Sequence, residues 1–356
     1  MDYSTLPRDI FSGCWTTGHC QGIAVDTKRE YIYYSFTTSL VKTDLRGNLI
    51  GTVGGLLGHL GCIAFNDDDG RLYGSLEYKN DAIGRSILNM LKSDATIEDA
   101  FYIARFDVDK IDRVGMDACA DGVMKAIYLK EVVDDFTAKV TNGGKAVKHR
   151  LGCSGIDGTT FGPMPGSADK KRYLFVAYGV YSDVDRTDND HQVLLCYDTA
   201  DWDRFATPLS QTNMHHFGPA APTKKLYAFT GNTNYGVQNL EYDPFTGCFL
   251  MAVYRGNKPQ YPNRPMYIID GAKAPASGPL RGVEPAQEGE LLPLLEKGIP
   301  HESGVWSWDF PLGSTGLIAL GDGYYYVSHD GKGDEGYFTH VKLYKWDGVS
   351  PLALVE

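Results

Sequence analysis

Apolar positions along this chain come in short runs broken by turn-forming residues, and the runs recur. His19-Cys20-Gln21-Gly22-Ile23-Ala24-Val25-Asp26 leads through a polar turn (Asp26-Thr27-Lys28-Arg29) to Tyr31-Ile32-Tyr33-Tyr34. His59-Leu60-Gly61-Cys62-Ile63-Ala64-Phe65-Asn66 leads through Asp67-Asp68-Asp69-Gly70 to Leu72-Tyr73-Gly74-Ser75-Leu76. In both, a histidine stands four positions before the isoleucine, and the two isoleucines, Ile23 and Ile63, are 40 residues apart. Runs of this length, rich in β-branched and aromatic residues and bounded by Asp, Asn and Gly, predict strand-turn-strand units.

The unit returns at Leu240–Tyr254 around Asp243-Pro244-Phe245-Thr246-Gly247. A longer version spans Thr160–Tyr178, and a shorter one spans Leu317–Val327 around Gly321-Asp322-Gly323. Each is followed by a strand ending in aspartate: Leu40–Asp44, Ile103–Asp107, Leu194–Asp198, Met266–Asp270 and Leu343–Asp347. An ordered internal repeat of strands predicts radial all-β architecture, a single β-propeller of four-stranded antiparallel blades. Five blades are expected, at about 19–58, 59–150, 151–234, 235–304 and 305–356. Six is the alternative if Lys225–Thr230 belongs to a degenerate extra blade. A short strand within Ile10–Trp15 is placed to close the ring. The five aspartates read as turn residues accepting backbone N–H bonds rather than as metal ligands.

Uneven spacing puts the excess chain in long connections, where binding surfaces concentrate on rigid scaffolds. Segments 85–99 and 118–137 have helical character, Thr137–Lys148 reads as a polar, mobile connection, and Pro275–Pro293 reads as a surface excursion. A net charge of −11 argues against nucleic acid. No apolar run approaches the ~20 residues of a membrane helix, and the first residues carry no basic-then-apolar leader. Seven scattered cysteines without a CxxC pair predict reduced thiols and a cytoplasmic protein.

In a propeller, the starts of the first strands and the ends of the second strands converge on one mouth of the axis. That register gathers His19, His59, Glu77 and Tyr254 as acid–base candidates. Arg255, Tyr178, Gln238, Trp306 and His329 are gathered as substrate-binding candidates. Aromatic faces stack on sugars, arginine clamps a carboxylate bidentately, and histidine moves protons near neutrality. The set fits a small acidic, uronate-containing carbohydrate cleaved by β-elimination. Glu77 acting with a distant carboxylate such as Asp157 or Asp309 would indicate hydrolysis instead, and a non-catalytic binding propeller is the reading from another class. His215-His216, beside Asn213, is a candidate cap on the mouth. No cofactor is expected. A divalent cation such as Ca²⁺ at the acidic loop Asp183–Asp190 is the one ion left open. Gly331–Gly336 matches GxGxxG but leads into a strand, so it reads as a hairpin loop.

The GIAVDTKREYIYYS and GCIAFNDDDGRLYGS units resemble blades of the broad NHL and SMP-30-like propeller group, in which an aliphatic pair, an aspartate turn and a Leu/Ile-Tyr strand recur. The set His19, His59, Tyr254 and Arg255 is similar to the His/Tyr/Arg sets of propeller-fold polysaccharide lyases and their glycosidase relatives. The resemblance implies a propeller and a carbohydrate-active mouth.

Overall fold

The computed structural model describes residues 3–356 apart from 27 and 29, so Met1-Asp2 and half of the first expected turn lie outside the described residues. Five antiparallel blades surround an axis. Blade 1 runs Cys20–Asp26, Tyr31–Phe36, Ser39–Asp44 and Leu49–Gly54; blade 2 runs His59–Asn66, Arg71–Tyr78, Ala100–Phe106 and Met124–Tyr128. Blade 3 is Cys153–Pro163, Arg172–Val180, His191–Tyr197 and Lys224–Phe229, and blade 4 is Thr233–Asp243, Cys248–Arg255 and Met266–Ile269. Trp308 bridges to Met266 on the outer edge of blade 4. Blade 5 is Leu317–Gly321, Tyr324–Gly333 and Gly336–Trp346, and Asp9–Phe11 from the other end of the chain pairs on its outer side. The N-terminal strand therefore fastens the last blade. The first strands pack in the order 1 to 5 and back to 1.

This closure explains why the strands are apolar on consecutive positions. Both faces of a blade are covered by its neighbours, so neither alternate set of side chains meets water. Tyr33 packs with Leu60, Leu76 and Tyr102 between blades 1 and 2. Tyr34, one residue on, packs with Ile23, Tyr326 and Val341 between blades 1 and 5. Three further clusters fill the remaining gaps, around Tyr73–Phe101–Val176, Phe175–Leu240–Met251 and Leu250–Ile268–Tyr325.

Four of the strand-ending aspartates, Asp44, Asp198, Asp270 and Asp347, accept backbone N–H groups of their turns, while Asp107 pairs with Lys110 at 3.1 Å. Asp44 Oδ1 accepts the backbone N–H groups of Arg46 and Asn48 at 2.8 and 2.9 Å, and Asp347 Oδ1 accepts those of Val349 and Ser350 at 2.7 and 2.8 Å. Gly331–Gly336 is a hairpin, closed by the pair Gly333–Gly336.

The connections decide for five blades and add structure beyond the expected strands. Lys224–Phe229 is the fourth strand of blade 3, not part of a sixth blade. Residues 139–148, expected to be mobile, form a two-stranded hairpin (Lys139–Asn142 with Lys145–Lys148). The excursion after blade 4 returns to blade 3, where Glu288–Leu292 pairs in parallel with Lys224–Phe229 and carries Ala276–Pro279 on its far side. It thereby covers an edge that would otherwise present unpaired backbone groups. In the acidic loop at 183–190, Arg186 pairs with Asp188 at 2.7 Å and Lys258 from blade 4 pairs with Asp190 at 2.5 Å, all four side chains buried. Helical segments are helix α1, Ala82–Leu91, and helix α2, Lys130–Thr137.

Candidate functional site

One mouth of the axis holds a cavity of about 270 Å³ in which four blades meet. His19 and Gln21 come from blade 1, His59, Glu77 and Lys79 from blade 2, Ser154 and Asp157 from blade 3, and Tyr235, Gln238 and Tyr254 from blade 4. The strand register is the cause. His59 lies directly opposite Glu77 across the first two strands of blade 2, and Tyr254 lies opposite Asn234 in blade 4. Residues two apart on a strand share a face, so Gln21 follows His19 into the mouth and Lys79 follows Glu77. Ile83 of α1 lies at the rim.

Two glycines make room for the carboxyl groups. A Cβ on Gly155, whose φ is +128°, would stand 2.0 Å from Glu77 Oε2, and one on Gly61 would stand 2.2 Å from Asp157 Oδ1.

Glu77 is bound on both oxygens. Oε1 is 2.5 Å from Lys79 Nζ, and Oε2 accepts the Ile156 backbone N–H at 3.1 Å. Lys79 also donates to the Ser154 carbonyl at 2.9 Å and stands 3.9 Å from Asp81. Burial opposes the charge on Lys79, but the carboxylates of Glu77 and Asp81 outweigh it and its pKa is raised. The ammonium therefore persists, and its charge and hydrogen bond partly offset the burial that raises the Glu77 pKa. Asp157 differs. Burial first, and the Glu77 charge second, raise its pKa well above the carboxylate range, with the Cys62 N–H at 3.0 Å from Oδ1 and the Lys79 charge only partly offsetting them. One cavity thus holds two buried carboxyl groups, both raised by burial, of which Glu77 has an ion-pair partner and Asp157 has none among the described residues.

The histidines are neutral. Burial, then the Lys79 charge, depresses His59 to about 3. Its Nδ1 is 3.6 Å from Glu77 Oε1 and makes no hydrogen bond, while burial lowers His19 against the opposing charge of Asp330. His19 Nε2 is 3.1 Å from Gln21 Nε2. Burial and the nearby Asp157 raise Tyr254 to about 12, keeping its phenol protonated. The depressed His59 has a measurable consequence. Between the ordinary value of 6.5 and about 3 the unfolded chain takes up a proton at this position that the folded chain refuses. His59 thus contributes a loss of stability as pH falls through that window. His59→Asn should flatten the pH-dependence of the denaturation midpoint there, by up to about 1.4 kcal/mol per pH unit.

Four expected residues lie elsewhere. Arg255 follows Tyr254, so strand alternation turns it to the opposite side, where it pairs with Asp309 at 2.6 Å in solvent. Arg255→Ala should change stability by less than about 1 kcal/mol and leave ligand binding at the mouth intact, as read by calorimetry. Tyr178 is fully buried on the outward face of its strand, and its hydroxyl donates to Asp135 of α2 at 2.9 Å. Tyr178 pairs with Ile156 as Leu76 pairs with Leu60 in blade 2, so it takes the face of Leu76, and Gly179 stands at the position of Glu77 in the cavity wall. Trp306 lines a peripheral groove with Phe229 and Arg281, and its neighbour on the same face, Trp308, is in the core. His329 pairs with His340 on the blade 5 hairpin and its Nε2 lies 2.9 Å from the Tyr344 hydroxyl. Asp330, one residue on, faces inward instead and accepts from Thr315 Oγ1 at 3.1 Å. His215-His216 packs on the outside of blade 2, against Tyr102 and Tyr128, rather than over the mouth. Asp309, weighed as a second carboxylate, is the surface partner of Arg255.

Lys79 is the participant the sequence reading missed. Its signal was present as the second member of Glu77-Tyr78-Lys79, two charges sharing one face of an otherwise apolar strand.

No family model and no curated protein matches the chain. Among solved structures, it is similar to a GH43 β-1,3-galactosidase with galactodeoxynojirimycin, at 10% identity over 97% of this chain and 98% of that one, with a TM-score of 0.44. It is also similar to a Bombyx mori GH32 β-fructofuranosidase with sucrose, at 9% identity over 98% of this chain and 65% of that one, with a TM-score of 0.40. A soluble aldose sugar dehydrogenase from Escherichia coli is similar at 10% identity over 94% and 98%, with a TM-score of 0.38.

Proposed function

We propose that this mouth hydrolyses a small neutral glycoside, with Asp157 as the proton donor and Glu77 as the ionised partner. The observation that carries the reading is the unequal surroundings of two carboxyl groups in one cavity: Glu77 is paired with Lys79 at 2.5 Å, while Asp157, raised further by burial, has no ion-pair partner among the described residues. Glycoside hydrolysis requires this arrangement: an acid to protonate the departing oxygen and a carboxylate facing the oxocarbenium-like centre. Asp157 gives its proton to the glycosidic oxygen as the C–O bond breaks, Glu77 offsets the positive charge that develops on the sugar, and a water molecule then adds to that carbon and returns its proton to Asp157. Gln21, Gln238, His19 and Tyr254 supply hydrogen-bonding groups for hydroxyls, and the half-exposed ring of Tyr235 lies at the rim as a stacking surface. The volume, at the low end of the ~300–1,000 Å³ of ligand pockets, suits one or two sugar rings.

Elimination from a uronate is less well served. It needs a cation free to hold the substrate carboxylate. Lys79 is the lysine or arginine lining the cavity, and it is already engaged by Glu77, Asp81 and the Ser154 carbonyl.

A panel of neutral 4-nitrophenyl glycosides, run beside uronate-containing oligosaccharides, tests the reading. Release of 4-nitrophenolate from a neutral member is expected, with no absorbance from a new C=C bond in the uronates. Consumption of a uronate with that absorbance, and none of the neutral glycosides, would overturn it.

A further inference from the structure

The opposite mouth of the axis opens into a larger cavity, about 670 Å³, walled by Val25, Phe65, Phe161, Tyr242, Ile318 and Leu320. All five blades contribute to this wall, so the ring geometry that builds the first mouth builds this one too. A plug separates the two. Cys62 Sγ contacts the Thr159 carbonyl at 3.5 Å and Asn239 Oδ1 at 3.4 Å. Asn239 Nδ2 donates to the Gln21 and Ser314 carbonyls at 2.9 Å each.

Glu241 stands in this apolar cavity and is 8% exposed. Its two hydrogen-bond partners are neutral: the Ala319 N–H at 2.9 Å on Oε1 and the Thr160 hydroxyl at 3.2 Å on Oε2. The other charged groups in the lining are Asp67, Asp169, Lys170 and Arg172, two of each sign. Asp243, two residues along the strand, is taken up by the Tyr325 hydroxyl at 2.6 Å and by Thr246. Glu241 is thus the buried acid of this cavity and has no ion-pair partner among the described residues, the lining cations Lys170 and Arg172 standing beyond ion-pair distance. Burial, with the Asp243 charge adding to it, raises its pKa to about 8 against its two hydrogen bonds and the more distant Arg172. A buried carboxyl without a cation invites one.

We propose that this second mouth binds a small molecule with an apolar body and a primary ammonium group, the ammonium docking on Glu241. The apolar walls take the body, and docking returns the carboxyl to its ionised form, releasing its proton to solvent.

The probe is 2-phenylethylamine, titrated calorimetrically into the full chain near pH 7 in two buffers of different ionisation enthalpy. Saturable binding with net proton release is expected. Glu241→Gln should weaken it by roughly tenfold or more, as should replacing the amine by the neutral 2-phenylethanol, since a charge-assisted hydrogen bond contributes about 1.5–3 kcal/mol. Ala168→Trp, at the exposed rim of the same cavity, should weaken binding equally without touching the core. Asp157→Asn, in the first mouth, should leave it unchanged. Absence of saturable binding, equal affinity for the alcohol, indifference to Glu241→Gln and Ala168→Trp, or loss in Asp157→Asn would each overturn the proposal.

Discussion

Asp157→Asn is expected to lower glycoside turnover by about 10²–10⁴-fold, the usual contribution of a positioned general acid. The same change should leave the fold intact or strengthen it. The amide is isosteric, and its oxygen can still accept the Cys62 N–H that Asp157 Oδ1 now accepts at 3.0 Å. The carboxyl cannot ionise in place without a charge being buried beside Glu77, which is why its folded pKa is raised. The sign follows: a group whose folded pKa lies above its unfolded value supports the fold fully at low pH and loses that support as pH rises through the folded value. Wild type should therefore lose stability with rising pH through this group, and Asp157→Asn should lack that component. Denaturation midpoints across a pH series, measured beside kcat on the best glycoside, separate the two effects. Activity retained in Asp157→Asn would remove Asp157 from the mechanism. Activity lost together with the fold would make it structural.

Lys79→Met should give the largest loss of stability, about 3–5 kcal/mol, because removing one partner of a buried ion pair strands the other. Here the stranded groups are the Glu77 carboxylate and the Ser154 carbonyl, both of which Lys79 Nζ now holds. Glu77 can escape by taking a proton, so the loss should shrink as pH falls and grow as it rises. Adding Glu77→Gln should restore much of the midpoint, and the double-mutant cycle measures the coupling directly. If Lys79→Met is as stable as wild type, the ammonium does not offset the burial of Glu77, and the two carboxyl groups would no longer differ as the hydrolytic reading requires.

Much of the architecture could be read from residues alone. The paired units at Ile23 and Ile63, the turn aspartates and the expected closing strand near Ile10 all follow from local rules: turn chemistry, strand propensity and repeat spacing. The mouth was legible where equivalent strand ends of different blades were compared, and His19, His59, Glu77, Gln238 and Tyr254 converge on one cavity. It was not legible where one residue decides a face. Tyr254 and Arg255 are neighbours, and so are His329 and Asp330. In each pair strand alternation sends one side chain towards the axis and the other away. Tyr178 is likewise one residue from the position that faces the axis, which Gly179 occupies.

Composition and local pattern thus determined that this chain makes short antiparallel strands in a repeating order, because a turn or a strand is specified by a few adjacent side chains. Tertiary closure alone decided the surroundings of the two carboxyl groups. The Lys79 partner of Glu77, the burial that raises both groups and the space left by Gly61 and Gly155 are contributed by blades 2 and 3. Charge and solvation act through space, and the groups that set them are far apart in the chain until the ring is shut.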